Sequence, residues 1–323
     1  MLHRPVLSCG FVWGLLSVAS AGAQPIQIDL QASRTFGAAP LAVFFDASGT
    51  THTSGAIRPF HDLGYRWDFD DPTSGTWATN GRSRNSATGA VAAHVFETPG
   101  TYDVSVTVRD AAGAMAQRSV QVSVSDPGEA PWITYYVSTS GSDSNDGLSP
   151  ASPFATLTRG LAEQGANRRI LLRRGDSWSV SGLLQLTTDG PAVLGAYGEG
   201  AAPRVVATGN NSSCSFLSVH ASDWRIVGLE LTRLDSTYQC SGLSIGAARS
   251  DVLVLDNEVR GFRIGLTNDW STVSDRLFWI DNRVEDLSLN GAYLGGHRIA
   301  VLGNRIAGIK IPTCCAFGMS VGE

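Results

Sequence analysis

Alternation of apolar and polar residues is strongest in the first third of the chain. Residues 101–108 place an apolar side chain at every second position, and residues 119–124 repeat the pattern. Residues 41–45 and 65–69 are further strand candidates, and turn residues separate these stretches. Short alternating strands joined by turns within about 100 residues are typical of two packed sheets. The pattern therefore predicts an immunoglobulin-like β-sandwich over residues 24–126.

A gapless repeat follows in the last third of the chain. Three six-residue segments align with an asparagine at the fourth position: Val254–Val259, Trp279–Val284 and Val301–Ile306. The asparagines are Asn257, Asn282 and Asn304, which lie 25 and 22 residues apart, and a weaker copy stands 28 residues upstream. Such periods, rich in β-branched residues and without helical periodicity, fit one coil of a parallel β-helix.

Stacking of the coils decides where the three asparagines lie. A single coil cannot bury its apolar face, so coils stack about 4.8 Å apart and share one core. We therefore expect the asparagines above one another, as a buried amide ladder at a corner between strands. A ligand-binding row of asparagines is the alternative.

Glycines recur with the same period. A glycine followed by an apolar residue stands at Gly242, Gly265, Gly291 and Gly318. The repeats leave room for about five coils. The sequence ends inside a repeat, and stacked repeats normally need a capping segment. We therefore expect a parallel β-helix that is truncated at its C-terminus.

The segment between the two patterns is a linker followed by the start of the second domain. Residues 127–134 carry two prolines and a glycine, so they predict a linker, and the second domain then covers residues 135–323. A short helix is expected within residues 156–164, although Gly160 weakens it. A helix there would cover the open end of the first coil.

The N-terminal motifs resemble the PKD (polycystic kidney disease) domain family. The matching segments are, in order, Ala39–Asp46, Trp67–Asp71, His94–Phe96, Pro99–Val104 and Val108–Asp110. The family usually has glycines where this chain has Asp70 and Pro72, which alters one turn. The resemblance implies a spacer or binding module, often beside carbohydrate-active or protease domains, with Trp67 and Tyr102 packed in its core.

The second domain resembles the N-terminal segment of bacterial parallel β-helix proteins of the pectate-lyase-like class. The segments that carry this resemblance are Tyr135–Gly147, Ser149–Leu157, Ile170–Asp176 and Val193–Pro203. The class implies an all-β, right-handed, single-stranded parallel β-helix that binds polysaccharide in a groove on its outer sheet faces. It also implies β-elimination of uronic-acid polymers, with a cation such as Ca²⁺ and a Lys or Arg base, or hydrolysis by paired carboxylates.

Composition and charge restrict the partners and the compartment. The formal net charge is −5 and the basic residues form no cluster, so the sequence predicts no nucleic-acid partner. Residues 1–23 combine a basic start, an apolar run and a small-residue cleavage site, which is typical of a signal peptide. The apolar run is too short to span a bilayer well. We therefore expect a secreted, periplasmic or cell-surface protein that is monomeric and not inserted in a membrane.

Four cysteines remain after the signal peptide: Cys214, Cys240, Cys314 and Cys315. An exported chain meets an oxidising environment, so disulfides are permitted. The first two lie 26 residues apart, close to one coil. We therefore predict a disulfide between Cys214 and Cys240 that joins neighbouring coils, with buried thiols as the alternative.

Candidate catalytic residues are few. Asp256 and Asp281 occupy equivalent positions one coil apart, so their carboxylates are candidates for a Ca²⁺ site or an acid pair. Surface solvation or turn capping is the alternative role. Lys310 is the only lysine in the chain and thus the only candidate lysine base, but no motif surrounds it.

Further candidates lie outside any recognisable catalytic motif. They are Arg263 and Arg298 as bases, Asp269, Asp275 and Asp286 as acids, and Trp270, Trp279 and Tyr293 as aromatic residues that stack on sugars. For Trp279, which lies inside a repeat strand, packing in the core or on a sheet face is the alternative. In the sandwich, Asp68, Asp70 and Asp71 are Ca²⁺ candidates, with bonding to the local backbone as the alternative. The sequence carries no nucleophile elbow and no Walker or dinucleotide loop.

Two hypotheses of function remain open. In the first, the chain is a secreted carbohydrate-active protein that binds an acidic polysaccharide and cleaves it as a polysaccharide lyase or a glycoside hydrolase. In the second, it is a non-catalytic extracellular glycan-binding or adhesion protein with the sandwich as a spacer. A phage-tail-like adhesin is a third hypothesis, which the signal peptide disfavours. A Ca²⁺-dependent unsaturated product separates the first hypothesis from the second.

Overall fold

The computed structural model describes residues 24–208, 215–234, 240–269, 271 and 273–310, together with the backbone of residues 319–322. The predicted signal peptide, residues 1–23, lies outside the described residues. The regular secondary structure of the described residues is almost entirely β-strand, and the helices are the short α1 (Pro59–Asp62) and α2 (Leu157–Leu161). Within them, no helix has the length and apolar character needed to cross a membrane.

The N-terminal domain is built from short strands. They are β1 (Ile26–Gln27), β2 (Gln31–Ala32), β3 (Phe36–Ala38), β4 (Leu41–Asp46), β5 (Thr51–His52), β6 (Gly64–Asp68), β7 (Ser86–Thr88), β8 (Val91–Phe96), β9 (Gly100–Arg109) and β10 (Met115–Ser125). One sheet has the order β3-β10-β9-β6-β7, a second has the order β2-β4-β8, and β1 pairs with β5. The predicted β-sandwich is confirmed.

Alternation along the strands builds the core of the sandwich. In β9 the predicted inward face is fully buried, as are Trp67 and Phe45 from the other strands. The Trp67 indole donates a hydrogen bond to the Gly89 carbonyl at 2.8 Å, so its one polar atom is satisfied inside the core. Tyr102 also packs in this core, as the resemblance implied.

The second domain is a parallel β-solenoid of about five turns. Its strands are β11 (Ile133–Val137), β12 (Arg168–Arg173), β13 (Ser177–Val180), β14 (Leu184–Leu186), β15 (Ala192–Tyr197), β16 (Arg204–Ala207), β17 (Ser215–Val219), β18 (Trp224–Val227), β19 (Glu230–Arg233), β20 (Ser241–Ile245), β21 (Ser250–Leu255), β22 (Glu258–Arg260), β23 (Ile264–Asn268), β24 (Asp275–Ile280), β25 (Arg283–Glu285), β26 (Asn290–Gly295), β27 (His297–Leu302), β28 (Arg305–Ala307) and β29 (Met319–Gly322).

Three parallel sheets form the sides of the solenoid. The first sheet has the order β11-β12-β15-β18-β21-β24-β27, the second β13-β16-β19-β22-β25-β28, and the third β14-β17-β20-β23-β26-β29. Each coil contributes one strand to each sheet, and neighbouring coils pair in parallel. Together with the sandwich, this arrangement confirms the all-β architecture with a parallel β-helix.

The predicted amide ladder is confirmed at the corner between the first and second sheets. Asn282 Oδ1 accepts from the backbone and side-chain nitrogens of Asn257, both at 3.1 Å. Asn304 Oδ1 accepts in the same way from Asn282, at 2.9 Å in both bonds. Each amide also donates to a backbone carbonyl of the preceding coil, such as Asn282 to Val254 at 2.8 Å. The column therefore satisfies buried backbone groups at a tight corner.

The glycine repeat marks the corner before the third sheet. The register places Gly242 beside Gly265 and Gly265 beside Gly291, while Gly318 lies outside the described residues. A Cβ on Gly265 would lie 2.1 Å from Val284 Cγ1, so a side chain does not fit there. The predicted helix is present as α2, whose buried residues include Leu161, and it covers the first coil.

The two domains pack directly on each other. The outer face of β4 and β8 lies on the outward face of the first solenoid sheet, and both contribute to one apolar cluster. At its centre, the rings of Phe44 and Phe278 lie 4.4 Å apart between centroids. Burial of apolar side chains from both domains holds the sandwich against this sheet.

Arginines of the sandwich form ion pairs at both ends of the strands of the first sheet. Arg34 pairs with Asp223 at 3.1 Å and with Asp251, at the N-terminal ends of the strands. Arg84 pairs with Asp281 at the opposite edge. The domain interface thus has an apolar centre and a charged rim, as protein interfaces generally do.

Candidate functional site

The third sheet presents a column of polar side chains on its outward face. The register aligns one residue from each coil: Gln185, Ser218, Ser244, Thr267 and Tyr293. The positions before these residues are apolar and belong to the solenoid core, as Leu217 and Leu243 do. Because side chains alternate along a strand, the polar column faces away from the core.

Hydroxyl groups in the column are held by one another. Ser244 Oγ lies 3.1 Å from Ser218 Oγ and 2.8 Å from Ser215 Oγ. Ser218 and Ser244 are buried, whereas Thr267 and Tyr293 are half-buried. The column therefore has buried, hydrogen-bonded serines between the exposed Gln185 on one side and the half-buried Thr267 and Tyr293 on the other.

A second column, at the C-terminal ends of these strands, contains His220, Gly246 and Asp269. Each donates its backbone N–H to the preceding coil, at 2.7, 2.8 and 2.7 Å respectively. A Cβ on Gly246 would lie 2.7 Å from His220 Nδ1, so the glycine leaves the room that the imidazole occupies. His220 Nε2 lies 2.9 Å from Ser218 Oγ, which fixes the ring over the polar face.

The Asp269 carboxylate is exposed and ionised at neutral pH. The Ser271 backbone N–H, at 2.8 Å, lowers the pKa of Asp269 most, and the Ser271 side chain adds to the effect. Slight burial opposes this shift, and the nearby His220 lowers the pKa further. The second column therefore holds an imidazole and a carboxylate on either side of Gly246.

The other two faces of the solenoid are occupied differently. The sandwich covers the first sheet, as described above. The second sheet pairs its own charges: Arg204 with Glu230 at 2.8 Å, and Arg260 with Glu285 at 2.9 Å. Among the described residues, hydroxyl and amide groups thus line the third face, which is the candidate binding surface.

The predicted carboxylate pair lies elsewhere, at the corner between the first and second sheets. Asp256 and Asp281 both have φ of 52°, a left-handed conformation that Asp tolerates better than most residues. Burial raises the pKa of both carboxyls, while Arg84 opposes the shift in each case. Since Arg84 belongs to the sandwich and pairs with Asp281, the structure places this pair at the domain interface rather than on the third face.

Lys310 and the other charged candidates form surface ion pairs or lie at strand ends. Lys310 Nζ lies 3.2 Å from Asp286 Oδ1, and its side chain is 71% exposed. Arg298 Nε donates to Asp275 at 2.7 Å. Arg263 precedes β23, and its backbone N–H donates to Cys240 at 3.0 Å. The structure brings none of these residues together with Asp256 or Asp281 in a described contact.

The three sandwich aspartates bond to other groups of the sandwich. Asp68 Oδ1 accepts from the Asp70 backbone N–H at 3.0 Å, which is the local bonding considered as the alternative. Asp70 Oδ2 accepts from the Asp103 N–H at 3.0 Å, 33 residues away. Asp71 Oδ2 lies 3.0 Å from His94 Nε2 in the buried core, 23 residues away.

Calcium finds no ready site in the described part of the chain. No group of three or more His, Cys, Asp or Glu that could hold a metal ion occurs among those residues. The third face offers the single carboxylate of Asp269 beside hydroxyls, which is a poor donor set for Ca²⁺. We therefore assign no metal site among the described residues.

The remaining predictions concern cysteines and aromatic residues. Cys214 lies outside the described residues, so its disulfide with Cys240 stays a prediction. Cys240 is buried next to β20. Trp270 also lies outside the described residues, and Trp279 is fully buried in the solenoid core, where no sugar can reach it. Of the three aromatic candidates, Tyr293 is the one that the structure places on the third face.

Comparisons with known proteins identify the first domain. The family model described as PKD domain matches residues 23–124. Residues 23–124 are a PKD domain. The structure of this PKD domain agrees with the match, since its strands end at Ser125. No curated protein sequence matches the chain.

The solved structures that match the chain or part of it share little sequence with it. The lacto-N-biosidase of family GH136 from Eubacterium ramulus is 14% identical with a TM-score of 0.39, and the match covers 53% of this chain and 41% of that one. A rhamnogalacturonan lyase is 14% identical with a TM-score of 0.36, covering 55% and 53%. The catalytic domain of a GH87 α-1,3-glucanase is 15% identical with a TM-score of 0.34, covering 93% and 65%. The chain thus spans less than two thirds of each.

Sequence reasoning missed the polar column, although a signal for it exists. Ser244, Thr267 and Tyr293 each stand two residues after a repeat glycine. Once the glycines align the coils, these three positions must lie side by side on one face of a sheet. Alternation along the strand then assigns these three residues to the outward face, because the apolar residue between each glycine and each polar residue points into the core.

Proposed function

We propose that this chain is an exported carbohydrate-active protein whose solenoid binds a polysaccharide along the outward face of the third sheet. The observation that carries the proposal is the column from Gln185 to Tyr293, which aligns one polar side chain per coil. It runs on the face that neither the sandwich nor paired charges occupy in the described structure.

The geometry of this column suits a linear polymer of sugars. Coils stack about 4.8 Å apart, so hydrogen-bonding groups recur at a fixed interval along the solenoid axis. A polysaccharide laid along that axis presents its own hydroxyls repeatedly, and these can bond to the accessible members of the column, which are Gln185, Thr267 and Tyr293. The half-buried Tyr293 adds a ring that can pack on a sugar, with a hydroxyl able to bond to it.

The second column supplies groups of different chemistry. The Asp269 carboxylate accepts hydrogen bonds from sugar hydroxyls, and these charge-assisted bonds are stronger than neutral ones. His220 can donate or accept, and its ring is held in place by Ser218. Both residues therefore serve recognition of the polymer at the edge of the third face.

Two finer parts of the proposal rest on the sequence. An acidic polysaccharide is the ligand class that the pectate-lyase-like resemblance implies, and export follows from the signal-like residues 1–23. Binding is better supported than cleavage, because elimination needs a base and a cation near the substrate. Lys310, the one lysine, pairs with Asp286 at the surface.

Affinity electrophoresis of the full chain in gels containing polygalacturonate, alginate or a neutral glucan tests the proposal. Thr267→Glu adds a longer, negatively charged side chain to the column, where it blocks the face and repels an acidic polymer, and it should abolish retardation. Ser179→Glu makes a comparable addition at an exposed position on the outward face of the second sheet and should leave retardation unchanged. Equal retardation of both variants would refute binding on the third face.

Absorbance of an unsaturated product, followed in the same samples with and without Ca²⁺, separates cleavage from binding. Retardation without product supports the binding protein, and Ca²⁺-dependent product supports the lyase. Retardation in the neutral glucan alone would contradict an acidic ligand.

A further inference from the structure

A large cleft opens between the PKD domain and the solenoid, apart from the third face. Its volume is about 990 Å³, within the range of cavities that hold small ligands, which often lie between domains. One wall comes from β3 and β10 of the PKD domain and the linker, and the floor comes from the N-terminal ends of first-sheet strands. The cleft exists only because the two domains dock in this arrangement.

Two aromatic residues from separate segments line this cleft. Phe36, on β3, is 77% exposed, and Trp132, in the linker before β11, is half-buried. One exposed aromatic side chain is ordinary on a protein surface. Two that line one cavity beside Pro131 and Pro191 form a rigid apolar wall that loses little entropy when a ligand packs on it.

The floor of the cleft carries three arginines and two aspartates, and each arginine is paired with an aspartate. Arg276 holds Asp251 through two hydrogen bonds, of 2.7 and 2.6 Å, and Arg34 pairs with the same carboxylate. Arg225 holds Asp223 at 3.0 Å. Burial alone would raise the pKa of Asp251, but the hydrogen bond from Arg276 and the charge of Arg34 outweigh it and lower that pKa. The floor is thus a fixed set of donors and acceptors.

These surroundings select a class of ligand. An anionic ligand would have to compete with the aspartates, because every arginine of the floor is already paired with a carboxylate. A purely apolar ligand would leave the charged floor without solvent or partners, which is costly. A neutral sugar meets both needs, since its C–H face packs on an aromatic ring while its hydroxyls reach carboxylates and guanidinium groups.

We propose that the cleft between the PKD domain and the solenoid binds a neutral oligosaccharide. Phe36 and Trp132 form the stacking wall, and the Arg34–Asp251–Arg276 network bonds to the hydroxyls. The site requires both domains and does not depend on the third face. The PKD domain then contributes directly to glycan recognition instead of acting as a spacer.

Titration calorimetry of the full chain with neutral gluco-, manno- and galacto-oligosaccharides tests this site. Phe36→Ala and Trp132→Ala should each weaken binding by about tenfold or more, since an aromatic contact and its buried area are lost. Trp132→Tyr keeps an aromatic ring and should restore most of the affinity. The matched control is Phe60→Ala, which removes a 63% exposed aromatic ring from helix α1, outside the cleft.

Several outcomes would overturn the site. They are the absence of binding to every neutral probe, equal affinities of Phe36→Ala and Phe60→Ala, and loss of binding in Thr267→Glu alone. The last result would place the sugar on the third face. Conversely, neutral-sugar binding that survives Thr267→Glu and fails in Trp132→Ala supports the cleft even where the third-face proposal fails. A chain dimer that Phe36→Ala dissociates would show that a second copy, rather than a sugar, fills the cleft.

Discussion

His94 shows how one buried residue combines packing with a charge-sensitive bond. Its ring stacks on Phe69 with centroids 4.4 Å apart, and Nε2 bonds to Asp71 at 3.0 Å. Burial lowers the pKa of His94, and the attraction of Asp71 does not fully compensate. The folded PKD domain therefore holds this imidazole in its neutral form.

The stability of the PKD domain should consequently depend on pH through His94. As the pH falls below about 6.5, the ordinary pKa of histidine, the unfolded chain takes up a proton that the folded chain does not. The free energy of unfolding should therefore decrease as the pH is lowered, and this group contributes up to about 1.4 kcal/mol per pH unit to the decrease. Denaturant titrations of the full chain, followed by hydrogen exchange of peptides from β9, measure the slope.

His94→Gln removes the titrating group and keeps an amide that can donate to Asp71. The variant should lose this part of the slope below about pH 6.5. The test compares the pH dependence of the free energy of unfolding in the two proteins. The absolute stability is not compared, because the substitution also changes packing on Phe69. Identical slopes in the two proteins would contradict a neutral buried His94.

At the scale of elements, the repeat period decides which strands pair. In the later coils a glycine row and an asparagine row recur with the period of the coil, each at or beside a corner of the solenoid. Between the corners, strand alternation separates core from surface. The geometry of a coil is therefore encoded by a few residues at its corners.

Gly265 occupies a corner that admits no side chain. A Cβ there would lie 2.1 Å from Val284 Cγ1 and 2.6 Å from the Gly291 carbonyl oxygen. Gly265→Ala should destabilise the solenoid by about 1–3 kcal/mol, as overpacking does in well-packed cores. Gly182→Ala is the matched control, since a Cβ on Gly182 has nothing within 4 Å. Thermal melts of both variants check this, and an equal melting temperature would show that the corner tolerates a methyl group.

These corners explain how much of the fold was predictable. Asn257, Asn282 and the glycines carry the register in their spacing, so the stacking followed from the sequence, as did the strands of the sandwich. The contact of Arg84 with Asp281 spans 197 residues and has no local pattern. For that reason Asp281 was considered as a catalytic or metal-binding residue, whereas the structure shows it at a domain contact. The polar column needed the register before its members could be related.

At the scale of the whole molecule, the PKD domain packs against the first sheet of the solenoid. The sequence described it as a possible spacer, which would have left the first sheet open to solvent. Instead, Leu253, Leu255 and Phe278 of that sheet are buried against Phe44 and its neighbours. Docking removes one solenoid face from ligand binding, creates the cleft beside Arg34 and leaves the third face accessible.

Because the two domains pack on each other, loss of a solenoid side chain at their interface should lower the stability of the PKD domain. Phe278→Ala removes a ring that contacts Phe44, and a buried Phe→Ala substitution typically costs about 3–5 kcal/mol. Part of this loss should increase the rate at which β4 and β8 open locally, and hydrogen–deuterium exchange of peptides from these strands measures that rate.

The control is Phe216→Ala, because the Phe216 ring stacks on Phe262 inside the solenoid, with centroids 5.6 Å apart. It should destabilise the solenoid while β4 and β8 keep their exchange rates. Unchanged exchange of β4 in Phe278→Ala would mean that the PKD domain gains no stability from the sheet beneath it.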